Sequence, residues 1–551
     1  MRWEIKKKLQ QLRDSELPLI QIKEYGSALV NFALVFPNTY NIGMTNLGFH
    51  SIYREVNKRK DSLCHRAFFF GKGFKPYTIE AQKEISSYDI IGFSISYEMD
   101  YINILEVLKE SNIPLLARDR DFPLVMAGGP AVTFNPEPLS LFFDFFVIGE
   151  GEEVIHEIME VLENNKGAKK NDILEMLSQI EGVYVPLLYQ KDRGRVKKRY
   201  LRNLNDFFTE TAVFTENNEF KDMFLIEISR GCGRNCRFCM AGYCYRVPRI
   251  RDLEIVLKRA EFAKKFTDKV GLVGAAVSDY PDIERLSREL MKRNIKFSVS
   301  SLRADSLVSP LLEGLSFSNH KTLTVAPEAG SERLRKIINK GIGEEDIYKA
   351  AEGAFKFGIK NLKLYYMVGI PTEKDSDIDE MIVFLKNLKY FMINIGNKTG
   401  ELTVSINPFI PKPFTPFQWF GMEKENILEE RIKRIKSTLK PSGIKVINES
   451  PRLSVIQASL ARGDRESGNL ILKAHQRGGK TSDFKNIDIN GKDIYFYAYR
   501  NLDLYEELPW DIINMGFDEE LLKREYKKAL KGESTSPCTK EKCKLCMICE
   551  K

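Results

Sequence analysis

Histidine is nearly missing from this chain, with 5 in 551 residues, and none stands near the cysteines that dominate its chemistry. That scarcity weighs against zinc sites built on imidazole, which need four ligands when structural. No apolar run reaches the roughly 20 residues needed to cross a bilayer, and the start (Met-Arg-Trp-Glu-Ile-Lys-Lys-Lys) has no apolar signal core. No membrane association and a cytoplasmic location are therefore expected. No internal repeat or low-complexity tract is present. A surplus of charge is missing too: +8 is modest for this length, so it permits a polyanionic substrate such as RNA without demanding one. The nine cysteines fall almost entirely into two clusters, which argues against a disulfide framework and for metal chemistry in a reducing compartment.

The first cluster is Ser-Arg-Gly-Cys232-Gly-Arg-Asn-Cys236-Arg-Phe-Cys239-Met-Ala-Gly, a C-x3-C-x2-C run that puts three thiols on one glycine-flanked loop. A four-iron cube has four irons, so three cysteines leave one iron without a protein ligand. A zinc knuckle completed by Cys244 is the alternative reading. The apolar segment at residues 223–229 reads as a buried strand feeding the loop.

This loop resembles that of the radical S-adenosylmethionine (SAM) superfamily. The resemblance implies an oxygen-sensitive enzyme in which the open iron of a [4Fe–4S] cluster chelates SAM. An electron supplied by a reductant such as flavodoxin or ferredoxin then cleaves SAM to a 5′-deoxyadenosyl radical, the cofactors carrying the chemistry. Cys232, Cys236 and Cys239 would be the catalytic ligands, with Phe238 packing near the adenine.

The expected fold class is α/β: a doubly wound, Rossmann-like parallel-sheet domain, then a partial (β/α)6 barrel and a small C-terminal α+β region. The expected boundaries are 1–165, a connector at 166–220, the barrel at 221–448 and a C-terminal region at 449–551. Strand-like runs in the front domain lie at residues 28–36, 90–96, 124–127 and 145–148, with a helix over 46–57. Small residues close several of these runs, including Gly128, Gly129 and Gly149, where ligands of open α/β sheets bind. Ile-Gly-Met-Thr-Asn-Leu-Gly (42–48), Ala-Gly-Gly-Pro (127–130) and Val-Ile-Gly-Glu-Gly-Glu-Glu (147–153) resemble the cobalamin-binding-like domain that precedes many radical SAM domains. That resemblance leaves a bound cobalamin open. The D-x-H-x-x-G motif is absent, so His50 is not read as a cobalt ligand. A basic run at 191–202 reads as a solvated hairpin edge.

Barrel strands are expected near 223–229, 270–278, 296–300, 322–326, 361–368 and 402–407, with the chemistry at their carboxyl ends. By resemblance, Gly274, Ala275 and Ala276 meet SAM's amino group, and Ser300 and Glu328 bond ribose hydroxyls or the ammonium. Arg333 would pair with SAM's carboxylate, and Gly369 opens the loop beside the adenine.

The second cluster, Cys538, Cys543, Cys546 and Cys549, places four thiols within twelve residues. It resembles ferredoxin-type runs and is read as an auxiliary iron–sulfur cluster, with zinc as the alternative. Three functions follow from these features. The first is cobalamin-dependent methyl transfer or rearrangement at an unactivated carbon. The second is cobalamin-free modification of RNA or protein, for example by sulfur insertion, and the third is a non-catalytic metal-dependent binding module. The substrate, whether RNA, protein or small molecule, is not legible in the sequence.

Overall fold

The apolar run that ends at Phe36 forms strand β1 (Val30–Phe36), and every one of its residues is buried. Burial on both faces is what a central parallel strand requires. The structure is a computed structural model and describes residues 3–189, 194–395, 400–518, 520–538 and 546. The chain forms two units. Unit 1 comprises Met1–Leu225, Ser459–Tyr497 and Glu507–Gly516, and unit 2 comprises Ile226–Ala458, Ala498–Glu506 and Phe517–Lys551. Residues 449–551, expected as one C-terminal region, are thus divided between the two units.

Unit 1 is a six-stranded sheet of β1, β2 (Ser62–Phe68), β3 (Ile90–Ser94), β4 (Leu124–Gly128), β5 (Phe145–Val147) and β6 (Val183–Tyr184). Its order is β2-β1-β3-β4-β5-β6, parallel except for the last pair. The winding reverses between β1 and β3, the crevice where doubly wound sheets bind ligands. Phe32, Leu34 and Phe36 share a core with Phe49 and Tyr53 of helix α1 (Leu47–Lys58) and Ile155 of helix α3 (Gly151–Asn164). Helix α2 (Tyr101–Glu110) packs against the helix Ser467–Arg477, where His475 Nε2 lies 2.8 Å from Glu106.

Strand β2 is the one the sequence hides. It carries His65 and Arg66, yet all seven of its residues are buried. The Arg66 guanidinium is clamped by Glu16 and Glu80, each at 2.7 Å, which offsets the cost of burying its charge. Among the described residues of the basic run no hairpin forms: Val196–Lys197 pairs in parallel with the distant Ile513–Asn514.

The first sheet of unit 2 is formed by β7 (Phe224–Glu227, whose last two residues belong to the unit), β8 (Lys269–Val273) and β9 (Lys296–Ser298), in that order. β10 (Thr322–Glu328), β11 (Asn361–Val368), β12 (Leu402–Pro408) and β13 (Lys445–Asn448) form a parallel second one. A parallel bridge between Leu302 and Val325 links the two stretches into a partial barrel. The expected strands are all present, and β13 adds a seventh at the open edge. Along β11 burial alternates: Leu362, Leu364, Tyr366 and Val368 are buried, while Lys363, Tyr365 and Met367 are half-buried. One face of this sheet is closed by packing and the other is open. Among the described residues no helix is long and apolar enough to cross a membrane.

Candidate active site

Strand β7 feeds the cysteine loop, and Ser229–Arg230 pairs antiparallel with Arg249–Ile250 to close the loop at its base. Gly231 sits at φ +79°, and any side chain there would collide with the carbonyl of Tyr245. This is a position only glycine fills without strain. Inside the loop Cys239 N donates to Cys236 O at 3.1 Å and Gly242 N to Cys239 O at 3.2 Å. Cys236 is buried, and Cys232 and Cys239 are half-buried.

The three thiols share one electrostatic field. Burial, then the neighbouring Cys236 and Cys232, push the Cys239 thiol up to about 12, while the Lys340 ammonium pulls it back. Burial, with Cys236 and Asp279 adding to it, also raises Cys232. A coordinating thiol loses its proton outright when it binds a metal. Among the described residues, no three His, Cys, Asp or Glu side chains close on one point as a single ion would need. A cube makes no such demand, since each cysteine binds a separate iron. Arg246, in the same loop, is 2% exposed, and its Nη1 has no hydrogen-bond partner among the described residues. A buried donor left over in a loop that carries three thiols fits an anionic cluster better than an empty loop. The donor set therefore fits a three-cysteine iron–sulfur cluster.

Cations surround the loop, and no local sequence signal marks them. Lys340, nearly buried, lies 3.3 Å from Glu328 Oε1 and 6.0 Å from the centre of the Phe238 ring. Arg303 is 8% exposed, donates to Lys340 O at 2.9 Å and pairs with Asp305 at 2.9 Å. Phe238 and Met367, the latter from the open face of β11, both pack on a core that includes Ala329, Leu334 and Ile337. The cluster loop, Phe238, Glu328 and the open barrel face are thus brought together. Glu328 holds φ +69° and Thr372 φ +70°. Non-glycine residues in that region cost about 1 kcal/mol or more, and such strain gathers at functional sites.

The other expected residues divide. Gly274 admits the Ser229 hydroxyl so closely that a methyl group would collide with it. Ala276 lines a cavity of about 400 Å³ with Cys232, Gly233, Arg234, Asp279 and Cys538. Ala275 and Ser300 are exposed, and Ser300 makes no hydrogen bond among the described residues. Arg333 is not free for a carboxylate of SAM: it is held by Asp377 (Nη2 to Oδ2, 2.5 Å) and donates to Thr372 O at 2.8 Å. Gly369, at φ +78°, gives its N–H to Glu373 at 2.6 Å, which organises the loop from within.

In unit 1 the expected ligand glycines meet the chain itself. A methyl group on Gly129 would lie 2.5 Å from Ile95 O, and one on Gly149 would collide with Arg199 O. Those approaches serve backbone packing. Gly128 has only an ordinary contact with Val147. His50, 1% exposed, bonds Met44 O at 3.0 Å and the N–H of Ala212 at 3.1 Å, so its ring is spent internally. What remains open at the reversal between β1 and β3 is polar: Asn46 bonds Ser96 at 2.9 Å, Asn38 bonds Asp100 at 2.7 Å, and Tyr97 is 41% exposed. Of the second cysteine cluster, Cys543 and Cys549 lie outside the described residues. Cys546 is buried, its carbonyl accepting from Asp518 N at 3.2 Å.

A three-thiol loop at the head of a half-open parallel barrel defines a class, a metalloenzyme that binds its metal at the carboxyl mouth of the strands. Comparison with known proteins narrows it. The family described as radical SAM superfamily matches residues 226–385, and that described as radical SAM proteins, N-terminal, matches residues 48–186. "Uncharacterized protein MJ0966" of Methanocaldococcus jannaschii is 35% identical over 439 residues, 79% of this chain and 89% of that protein. The ribosomal protein uS12 methylthiotransferase RimO of Thermosipho melanesiensis is 23% identical over 387 residues, 64% of this chain and 87% of the relative. The solved structure of the methyltransferase TsrM from Kitasatospora setae, with cobalamin and a [4Fe–4S] cluster bound, aligns at a TM-score of 0.48 and 14% identity. That alignment covers 71% of this chain and 77% of TsrM. The chain belongs to the radical SAM superfamily and is a radical SAM enzyme. It is thereby one that works with a [4Fe–4S] cluster and SAM.

Proposed function

We propose that this enzyme methylates or rearranges an unactivated carbon, with SAM cleaved at the Cys232, Cys236 and Cys239 cluster and cobalamin held by unit 1. The observation that carries the reading is the loop itself, where three buried or half-buried thiols share one field beside an open barrel face. When bound, the cluster and SAM supply one-electron cleavage of a carbon–sulfur bond. The chain's own residues do the rest. Lys340 and Arg303 place positive charge beside Cys236, which favours an anionic centre. Phe238 and Met367 give an apolar wall, and the half-buried side chains of β11 leave room for a ligand. Unit 1 supports cobalamin through its winding reversal and polar crevice, while the ring of His50 is already engaged within the chain.

A second reading has its own observation. Cys538 lines the same cavity as Cys232, so the tail cysteines, as a second iron–sulfur cluster or a zinc site, would serve a cobalamin-free reaction such as sulfur insertion. Methylthiotransferases among the relatives agree with this.

The test is anaerobic purification after growth with cobalamin, with iron and cobalt counted and 5′-deoxyadenosine formation followed under a flavodoxin or ferredoxin reductant. About four irons at the loop, SAM cleavage, its loss to background in Cys236→Ala and one cobalt per chain are expected. SAM cleavage without cobalt selects the second reading. Iron without any SAM cleavage would refute both and leave a binding module.

A further inference from the structure

Arg237 lies between the second cysteine and Phe238, yet its side chain is fully buried. Its guanidinium meets Glu525 at 3.0 Å and donates to the carbonyls of Ile337 at 2.9 Å and Glu533 at 2.7 Å. Its backbone N–H donates to Ile338 O at 2.9 Å. Glu525 sits on the helix Glu520–Lys531, far along the chain, and both of its carboxylate oxygens accept from Thr535 Oγ1 at 2.7 and 2.9 Å.

Asn339 completes the contact. Its Oδ1 accepts from Thr535 N at 2.9 Å, and its Nδ2 faces Thr535 O at 3.0 Å and Asn235 O at 3.1 Å. Asn235 in turn donates to Ser536 O at 2.8 Å, and Cys538 N donates to Gly233 O at 2.7 Å. Residues 533–538 therefore run along the cysteine loop and bond it at Gly233, Asn235 and Arg237. A methyl group on Gly233 would already press on Cys538 O at 3.2 Å.

We propose that this segment is a clamp on the cluster loop, with Arg237, Asn339 and Thr535 as positioning residues that fix where Cys236 and Phe238 stand. The proposal rests on reading Cys232, Cys236 and Cys239 as cluster ligands. The physical reason is entropic. A loop tied only by the two-residue ladder at its base would sample many arrangements, and the ligand geometry would have to be selected from them at each reconstitution. A buried, multiply bonded arginine beside a ligand removes that freedom, as groups outside a metal's ligand set commonly do. The polar groups are also mutually satisfied, so loss of one partner leaves buried donors unmet.

The experiment compares full-length wild type with Arg237→Lys, Thr535→Val and, as a control for plain destabilisation, Val404→Ala on β12, where the side chain is fully buried. Two readouts are taken: alkylation of Cys236 in metal-free protein, mapped by mass spectrometry, and iron release to a chelator from reconstituted protein, with electron paramagnetic resonance of the reduced cluster with and without SAM. Both clamp variants are expected to expose Cys236 and release iron about tenfold faster, the effect of losing one hydrogen bond to a charged group. Their SAM-dependent spectral change should weaken, while Val404→Ala lowers only the unfolding temperature. Clamp variants that match Val404→Ala in both readouts would overturn the clamp. Wild type that takes up no iron would overturn the ligand reading instead, and the alkylation rates still judge the clamp.

Discussion

Two parallel sheets in one chain are finished differently. In unit 1, β1 is buried at all seven positions, whereas in unit 2, β11 is buried only at alternate ones. A sheet covered on both faces is scaffold, and its side chains are spent on packing. A sheet left open on one face keeps Lys363, Tyr365 and Met367 in reach of a ligand. Both strands read alike as apolar runs, so the contrast comes from how the remaining chain wraps them. The lesson is that reaction space in this enzyme is made by withholding cover from a sheet.

The contrast breaks most readily through large-to-small substitution. Phe32 is fully buried and packs so tightly over Gly92 that a methyl group there would collide with its ring. Phe32→Ala should cost about 3–5 kcal/mol in denaturant unfolding, by lost transfer energy and the cavity left behind. Tyr365→Ala, on the open face, should cost about 1 kcal/mol or less because the ring is only partly withdrawn from water. Equal costs would mean that the open face is as structural as the closed one.

Glycines sharpen the comparison within unit 1. Gly149 stands at φ +110° against the Arg199 carbonyl, whereas Gly128 has a φ any residue adopts and a Val147 contact at 3.8 Å. Gly149→Ala should lose about 1–3 kcal/mol through strain and collision, and Gly128→Ala should stay within about 0.5 kcal/mol of wild type. Cobalamin retention measured on Gly128→Ala then reports on binding alone. Comparable destabilisation by the two changes would contradict the assignment of Gly149 to backbone packing.

These cases also show what could be read in advance. The cysteine loop and most strands of both sheets are legible, since spacing and apolar runs are local signals. Strand β2 was hidden because His65 and Arg66 look like surface residues until Glu16 and Glu80 are brought beside them. Lys340 lies 104 residues and Arg303 67 residues beyond Cys236, and only the fold joins them to it. A sequence shows the position of Arg333 and not its partner, since Asp377 is 44 residues away. Gly129 and Gly149 resembled ligand loops for a sound reason: they do permit close approach, and what approaches is the chain.

The smallest expected effect concerns Asp100, which borders the unit 1 crevice. Its carboxyl is buried, and burial raises it from the ordinary value of 3.8 to about 7, with Asn38 pulling it down and Glu98 pushing it up. The folded state thus holds a proton that the unfolded chain releases near pH 4. Stability from this group is fully present below that pH and is lost as pH rises through about 7. Between about pH 8 and pH 6 wild type should therefore gain about 1.4 kcal/mol from Asp100, a tenfold change in the folding constant. Asp100→Asn mimics the protonated form and should flatten that part of the profile while keeping the bond from Asn38. Urea midpoints of the two proteins measured at both pH values decide it. Parallel profiles would show that Asp100 is ionised in the folded state, and the crevice would then carry a negative charge that an anionic ligand must meet.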